Sequence, residues 1–260
     1  MEIYVQSRGS SQDFDYRWQG ETPNLAAPNI LRESNVYNLI QGESPSIVLG
    51  RHSEKLFLLV TGLKSKERRD FRGRVIRNSV LWICEESEEN EQSLRALTVN
   101  ILRDILQNDI DKAITFSENE NEFKTDFDAI RKLGVEVGKV EKFPVKSERK
   151  IGNNNQALRE DLAFELEERC LPKFENQLLI VVTGIKPEAT LKEFGVWRGL
   201  SNLVKGEDWE DYNFPVDPGE DSPTDNNLIL LIGFISLLVI ISFTLFWLKP
   251  NILLWLKPKS

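Results

Sequence analysis

One histidine, His52, and two cysteines, Cys84 and Cys170, occur in 260 residues. A single imidazole leaves histidine triads and multi-histidine metal sites almost nothing to stand on. His52 lies in the polar turn Gly50-Arg51-His52-Ser53, where a surface residue is the plain expectation. The two thiols stand far apart, one closing the apolar run Val80 to Cys84 and one on a helical pattern. That placement reads as two buried free thiols and suits a reducing cytoplasm. A phosphate loop is also missing: Gly62-Leu63-Lys64-Ser65 supplies Gly, Lys and Ser after a strand, but lacks the upstream glycine that lets backbone amides wrap phosphates. Carboxylate pairs such as Asp13 with Asp15, or Glu85 with Glu86, have no spacing that demands acid–base or metal chemistry. The chain opens Met1-Glu2-Ile3-Tyr4 without a basic or long apolar stretch, so no secretory leader is expected. No catalytic residue, metal or cofactor is expected from these absences.

What the chain does have is an uncharged run of twenty-one residues, Leu228 to Leu248. At about 1.5 Å rise per residue it spans a hydrocarbon core of roughly 30 Å. Its few polar groups, Ser236, Ser242 and Thr244, can bond back to helix carbonyls. Residues 227–248 are therefore expected to form one transmembrane helix. Two copies of Trp-Leu-Lys-Pro follow; Trp247, Lys249, Trp255 and Lys257 suit a membrane interface, so 249–260 reads as an interfacial tail and 227–260 as the lipid-contacting part. The lysines after the span favour a cytoplasmic tail by the positive-inside count. The missing export signal argues the other way and decides for a large cytoplasmic N-terminal domain.

Charge is uneven. The chain carries 33 basic and 41 acidic residues, a net −8, and Gly206 to Asn226 alone holds eight acids with no Lys or Arg. With Pro215, Pro218 and Pro223, that segment reads as an acidic stalk over 206–226. The nearly balanced remainder, residues 1–205, gives no case for nucleic acid.

Short apolar or β-branched runs at EIYVQ, SIVL, LFLLVT, SVLWIC and LLIVVT read as strands. Helical periodicity appears over about 87–108, from Phe123 to Gly134, and over about 155–171. The alternation predicts a layered α/β domain with a mixed or mostly parallel sheet and flanking helices. The polar stretch 146–155 reads as a loop that could divide it into two lobes.

An internal echo pairs FLLVTGLK, from Phe57, with LIVVTGIK, from Leu179. Ligands in open α/β sheets gather beyond the carboxyl ends of strands, which selects Arg8, Thr61, Gly62, Lys64, Thr183, Gly184 and Lys186 as candidate ligand residues. Between two strands runs a cationic stretch. Arg68, Arg69, Arg72, Arg74 and Arg77 would form a surface for an anionic partner if they shared a face, with a solvated loop as the bland alternative. The aromatic segment DFDYRW offers Tyr16 and Trp18 either as partner anchors or as core pins.

At MEIYVQSRG and DYRW, joined to RDFRGRVIRNSVLW and the terminal span, the chain resembles single-pass membrane proteins of cyanobacteria. More faintly, it is similar to adaptor-like N-terminal domains of bacterial conflict systems built around GTPases. The resemblance implies an intracellular adaptor or sensor and assigns no functional residues. The expected function is a membrane-tethered interaction module with a protein partner. An enzyme acting on an anionic ligand at the Thr-Gly-x-Lys turns is the alternative, and homo-oligomerisation is left open.

Overall fold

The computed structural model describes residues 1–22, 28–42, 44–117, 122–134 and 146–214. The expected transmembrane helix, the interfacial residues Trp247, Lys249, Trp255 and Lys257, and the stalk from 215 onward lie outside the described residues. Among the described residues, no helix is long and apolar enough to cross a membrane.

Eleven strands and six α-helices follow in chain order among the described residues. They are β1 (Glu2–Ser7), β2 (Arg17–Gly20), α1 (Ile30–Glu33), β3 (Ser46–His52), β4 (Lys55–Arg69), β5 (Val75–Glu85), α2 (Glu88–Leu102) and α3 (Gln107–Lys112). Then come β6 (Ile114–Phe116), β7 (Phe123–Thr125), α4 (Phe127–Lys132), β8 (Arg149–Asn153), α5 (Gln156–Glu168), β9 (Leu178–Thr183), α6 (Glu188–Glu193), β10 (Arg198–Ser201) and β11 (Glu210–Tyr212).

Nine strands form one sheet in the order β11-β8-β10-β9-β3-β4-β5-β1-β2. Only β8, β10 and β9 pair in parallel; every other neighbour in that sheet is antiparallel. The sheet is thus mixed and mostly antiparallel, which corrects the mostly parallel alternative. Its parallel part is confined to where helices α5 and α6 intervene between strands, because a parallel return needs a crossover. The meander β3-β4-β5 needs only tight turns.

Side chains alternate between two packed faces. Leu56, Leu58 and Val60 join Leu94, Leu97, Leu162 and Leu166 of α2 and α5 on one side. Phe57 and Leu59 join Leu31, Val36 and Leu191 on the other. Burial on both faces is why these strands read as unbroken apolar runs. The helices are set by local chemistry too: Ser87 Oγ accepts the Asn90 amide at the start of α2, and Asn155 Oδ1 accepts the Leu158 amide at 2.8 Å at the start of α5. Asp104, with φ of 57°, follows α2 and ends the long helix expected to reach 108.

Two boundaries move. Residues 149–153, expected in a dividing loop, form β8 with Ile151 and Gly152 buried, so one continuous sheet replaces two lobes. The folded unit extends to Phe214 rather than Lys205. There β11 pairs with β8, Trp209 packs against the core, and Arg149 lies 4.8 Å from the Phe214 ring. Acidic residues fit here because β11 is an edge strand whose Glu210 and Asp211 face solvent, with Asp211 3.3 Å from Lys150.

Candidate functional site

The pairing registers put the carboxyl ends of β1, β9 and β10 and the outer half of β4 at one end of the sheet. All the residues expected at strand exits therefore share that end. Thr61 Oγ1 donates to the Ser44 carbonyl at 3.1 Å, and Thr183 Oγ1 donates to the Leu39 carbonyl at 3.4 Å. Gly62, with φ of 71°, lies so close to the incoming chain that a Cβ would come within 2.5 Å of Ser44 and Pro45 backbone atoms. Gly184 backs onto Ser44 and Asn202. The two Thr-Gly turns clamp the segment entering β3, and their hydroxyls are already committed. Lys64 is exposed and Lys186 half-buried.

Beside them, the cationic stretch is not a loop. β4 continues to Arg69 and β5 restarts at Val75, so Lys64 to Arg77 forms the outer part of a long hairpin. Its turn is built by Asp70. That carboxylate accepts the Arg72 and Arg74 amides, each at 2.9 Å, and the Arg74 Nε at 2.8 Å, while Gly73 supplies a φ of 75°. Burial pushes the Asp70 carboxyl up, but the Arg74 and Arg72 amides and the Arg74 guanidinium outweigh it and hold the group below its usual range.

The five arginines of the run separate by role. Arg68 is buried: its Nη1 donates to Ser7 Oγ at 3.1 Å, its Nη2 to Asn78 Oδ1 at 2.5 Å, and its guanidinium lies 5.6 Å from the Phe116 ring. Burial pushes Arg68 down to about 10, opposed by the nearby Asp111, so it keeps its charge at neutral pH. Arg74 is spent on Asp70. Arg77 is half-buried, its amide donating to the Tyr16 hydroxyl. Arg69 and Arg72 are exposed with Lys64 and Lys66.

Arg8 lies beneath this hairpin, 5% exposed. Its contacts are long: Nη1 to Asp70 Oδ2 at 3.5 Å, Nη2 to the Ser11 carbonyl at 3.4 Å, and Nη1 to the exposed Asp15 at 3.7 Å. Among the described residues, its Nε has no hydrogen-bond partner; nor do Arg68 Nε and Asn78 Nδ2. The rings of Tyr16 and Phe71 lie 5.7 Å and 5.6 Å from the Arg8 guanidinium, and both reach solvent. Arg8 is thus a buried cation with long polar contacts, under two exposed aromatic rings and beside a cationic hairpin.

Four members of this cluster escaped sequence reading. Asp70 and Gly73 carry the signal of an Asx turn in DFRG, which was overshadowed by the surrounding charge. Phe71 at the hairpin turn reads as an ordinary apolar residue. Asn78 gives no sign, since a polar residue next to a strand is normally at the surface. Of the aromatic pair in DFDYRW, Trp18 packs on the core and Tyr16 covers Arg8. No protein-family model, curated protein or solved structure matches this chain.

Proposed function

We propose that this chain is a membrane-tethered interaction module. Its recognition surface is the outer β4–β5 hairpin with Arg8 beneath it, and its partner is an acidic segment of another protein. The observation that supports this most is the Arg8 guanidinium, buried yet held, among the described residues, by contacts of 3.4 Å and longer. A partner carboxylate would give it short charge-assisted hydrogen bonds. Lys64, Lys66, Arg69 and Arg72 would steer the approach, and Tyr16 and Phe71 would supply the anchoring rings.

The tether is the uncharged run Leu228 to Leu248, with Trp247, Lys249, Trp255 and Lys257 at its interface, and the reading keeps the folded domain on the cytoplasmic side.

The test is fluorescence anisotropy of labelled decaglutamate with the full chain in neutral detergent. At low salt the expected Kd is on the order of micromolar, weakening as salt rises. Arg8→Gln and the double change Arg69→Ser with Arg72→Ser should each weaken binding about tenfold. No binding, or equal binding by all three proteins, overturns the reading. Binding to anionic vesicles without binding to the peptide would replace the protein partner by lipid.

A further inference from the structure

Between β1 and β2 the chain turns back over Arg8. The Gly9 amide donates to the Phe14 carbonyl at 3.0 Å, and the Ser11 carbonyl accepts Arg8 Nη2 at 3.4 Å. This return sets Asp15 beside the cation, with Oδ1 3.7 Å from Arg8 Nη1. The same oxygen accepts the Tyr16 amide at 2.8 Å, and the Tyr16 hydroxyl accepts the Arg77 amide at 3.1 Å. One dipeptide of the loop therefore brings both a carboxylate and a ring to Arg8.

The two acids at Arg8 Nη1 differ in how firmly they are held. The Asp70 side chain is 3% exposed, and its oxygens are engaged by the Arg72 and Arg74 amides and the Arg74 guanidinium. The Asp15 side chain is 81% exposed and stands too far from Arg8 for a hydrogen bond. Solvent screens so exposed a pair, so Asp15 can turn to water at little cost. Arg8, buried beneath the loop, cannot follow it.

We infer that Asp15 is an internal competitor of the partner's carboxylate: it holds Arg8 in the free protein and is displaced when the acidic segment binds. This rests on the reading of Arg8 and the outer hairpin as the recognition surface. Its consequence is selectivity. A partner with one acid only exchanges one exposed carboxylate for another at Arg8. A partner with a run of acids also meets Lys64, Lys66, Arg69 and Arg72, which offsets the loss of Asp15. Asp15 thereby selects for acidic segments over single acids.

The experiment measures anisotropy of labelled decaglutamate with the full chain in neutral detergent at about 150 mM salt, where distant charges are largely screened. Asp15→Asn keeps an oxygen for the Tyr16 amide and removes only the charge, and should tighten binding about fivefold. Asp13, exposed in the same loop, forms no ion pair with Arg8 among the described residues. Asp13→Asn should therefore change affinity less than about twofold. In an Arg8→Gln background the gain from Asp15→Asn should vanish, because the group competed for is gone. Equal tightening by Asp13→Asn, no tightening by Asp15→Asn, or an undiminished gain in the Arg8→Gln background overturns the inference and leaves the recognition surface standing. No peptide binding by the native chain or any variant removes the recognition surface itself, and the competitor with it.

Discussion

Thr61 and Thr183 occupy matching positions on the two sides of β3: Val60 and Val182, the residues before them, both pair with Ile47. The echo of FLLVTGLK in LIVVTGIK is thus a spatial repeat, two strands in the same direction flanking a third. Both threonine hydroxyls are consumed by carbonyls of the segment entering β3. Thr61→Val and Thr183→Val should therefore each cost about 1 kcal/mol of stability, measured by thermal unfolding in detergent, and leave decaglutamate binding unchanged. Loss of binding at full stability would return these turns to the ligand site.

Gly62 and Gly73 both have positive φ, yet the space around them differs. A Cβ at Gly62 meets backbone at 2.5 Å, whereas at Gly73 nothing lies within 4 Å. Gly73→Ala should cost about 1 kcal/mol from the backbone conformation alone. Gly62→Ala should cost at least about 2 kcal/mol, because the entry to β3 must also shift. Equal losses in unfolding measurements would mean that close packing against Ser44 and Pro45 contributes nothing.

Arg198, 1% exposed, binds Glu165 through two parallel hydrogen bonds, Nε to Oε2 at 2.7 Å and Nη2 to Oε1 at 2.6 Å. The pair locks α5 onto β10. Arg198→Met leaves a carboxylate facing apolar surroundings and should destabilise by about 3 kcal/mol, while adding Glu165→Leu should recover much of that loss. Thermal unfolding of the two single variants and the double variant gives the coupling; additive losses would contradict it.

Asp70 titrates below the usual carboxylate value when folded, so its contribution to stability is complete above the unfolded value and disappears as pH falls through the folded one. Between about pH 5 and pH 2 the native chain should lose stability faster than Asp70→Asn. The difference between their unfolding midpoints should narrow towards acid. A difference independent of pH would show that the hairpin turn does not depend on the ionised carboxylate.

The central strands were legible because burial on both faces wrote them as continuous apolar runs, and α2 and α5 because their apolar positions recur at helical spacing. The strands β8 and β10 were hidden by their arginines. Arg149 and Arg198 look like surface residues, yet Arg149 is held between the Phe174 and Phe214 rings and Arg198 is neutralised by Glu165. The candidate site was legible at Arg8 and in the cationic run, but long-range pairing decided the division of labour. Asn78 and Ser7 bury Arg68, Asp70 takes Arg74, and only then are Arg69 and Arg72 left facing solvent. The Thr-Gly turns looked equally available in sequence, since the chain that fills them lies at least 17 residues away.

Co-flotation tests tether and recognition together. The full chain is reconstituted with phosphatidylcholine vesicles and centrifuged through a density gradient with labelled decaglutamate. The native chain should float and carry the peptide, and Arg8→Gln should float without it. A chain that stays at the bottom of the gradient, or a variant that carries as much peptide as the native protein, would contradict the account.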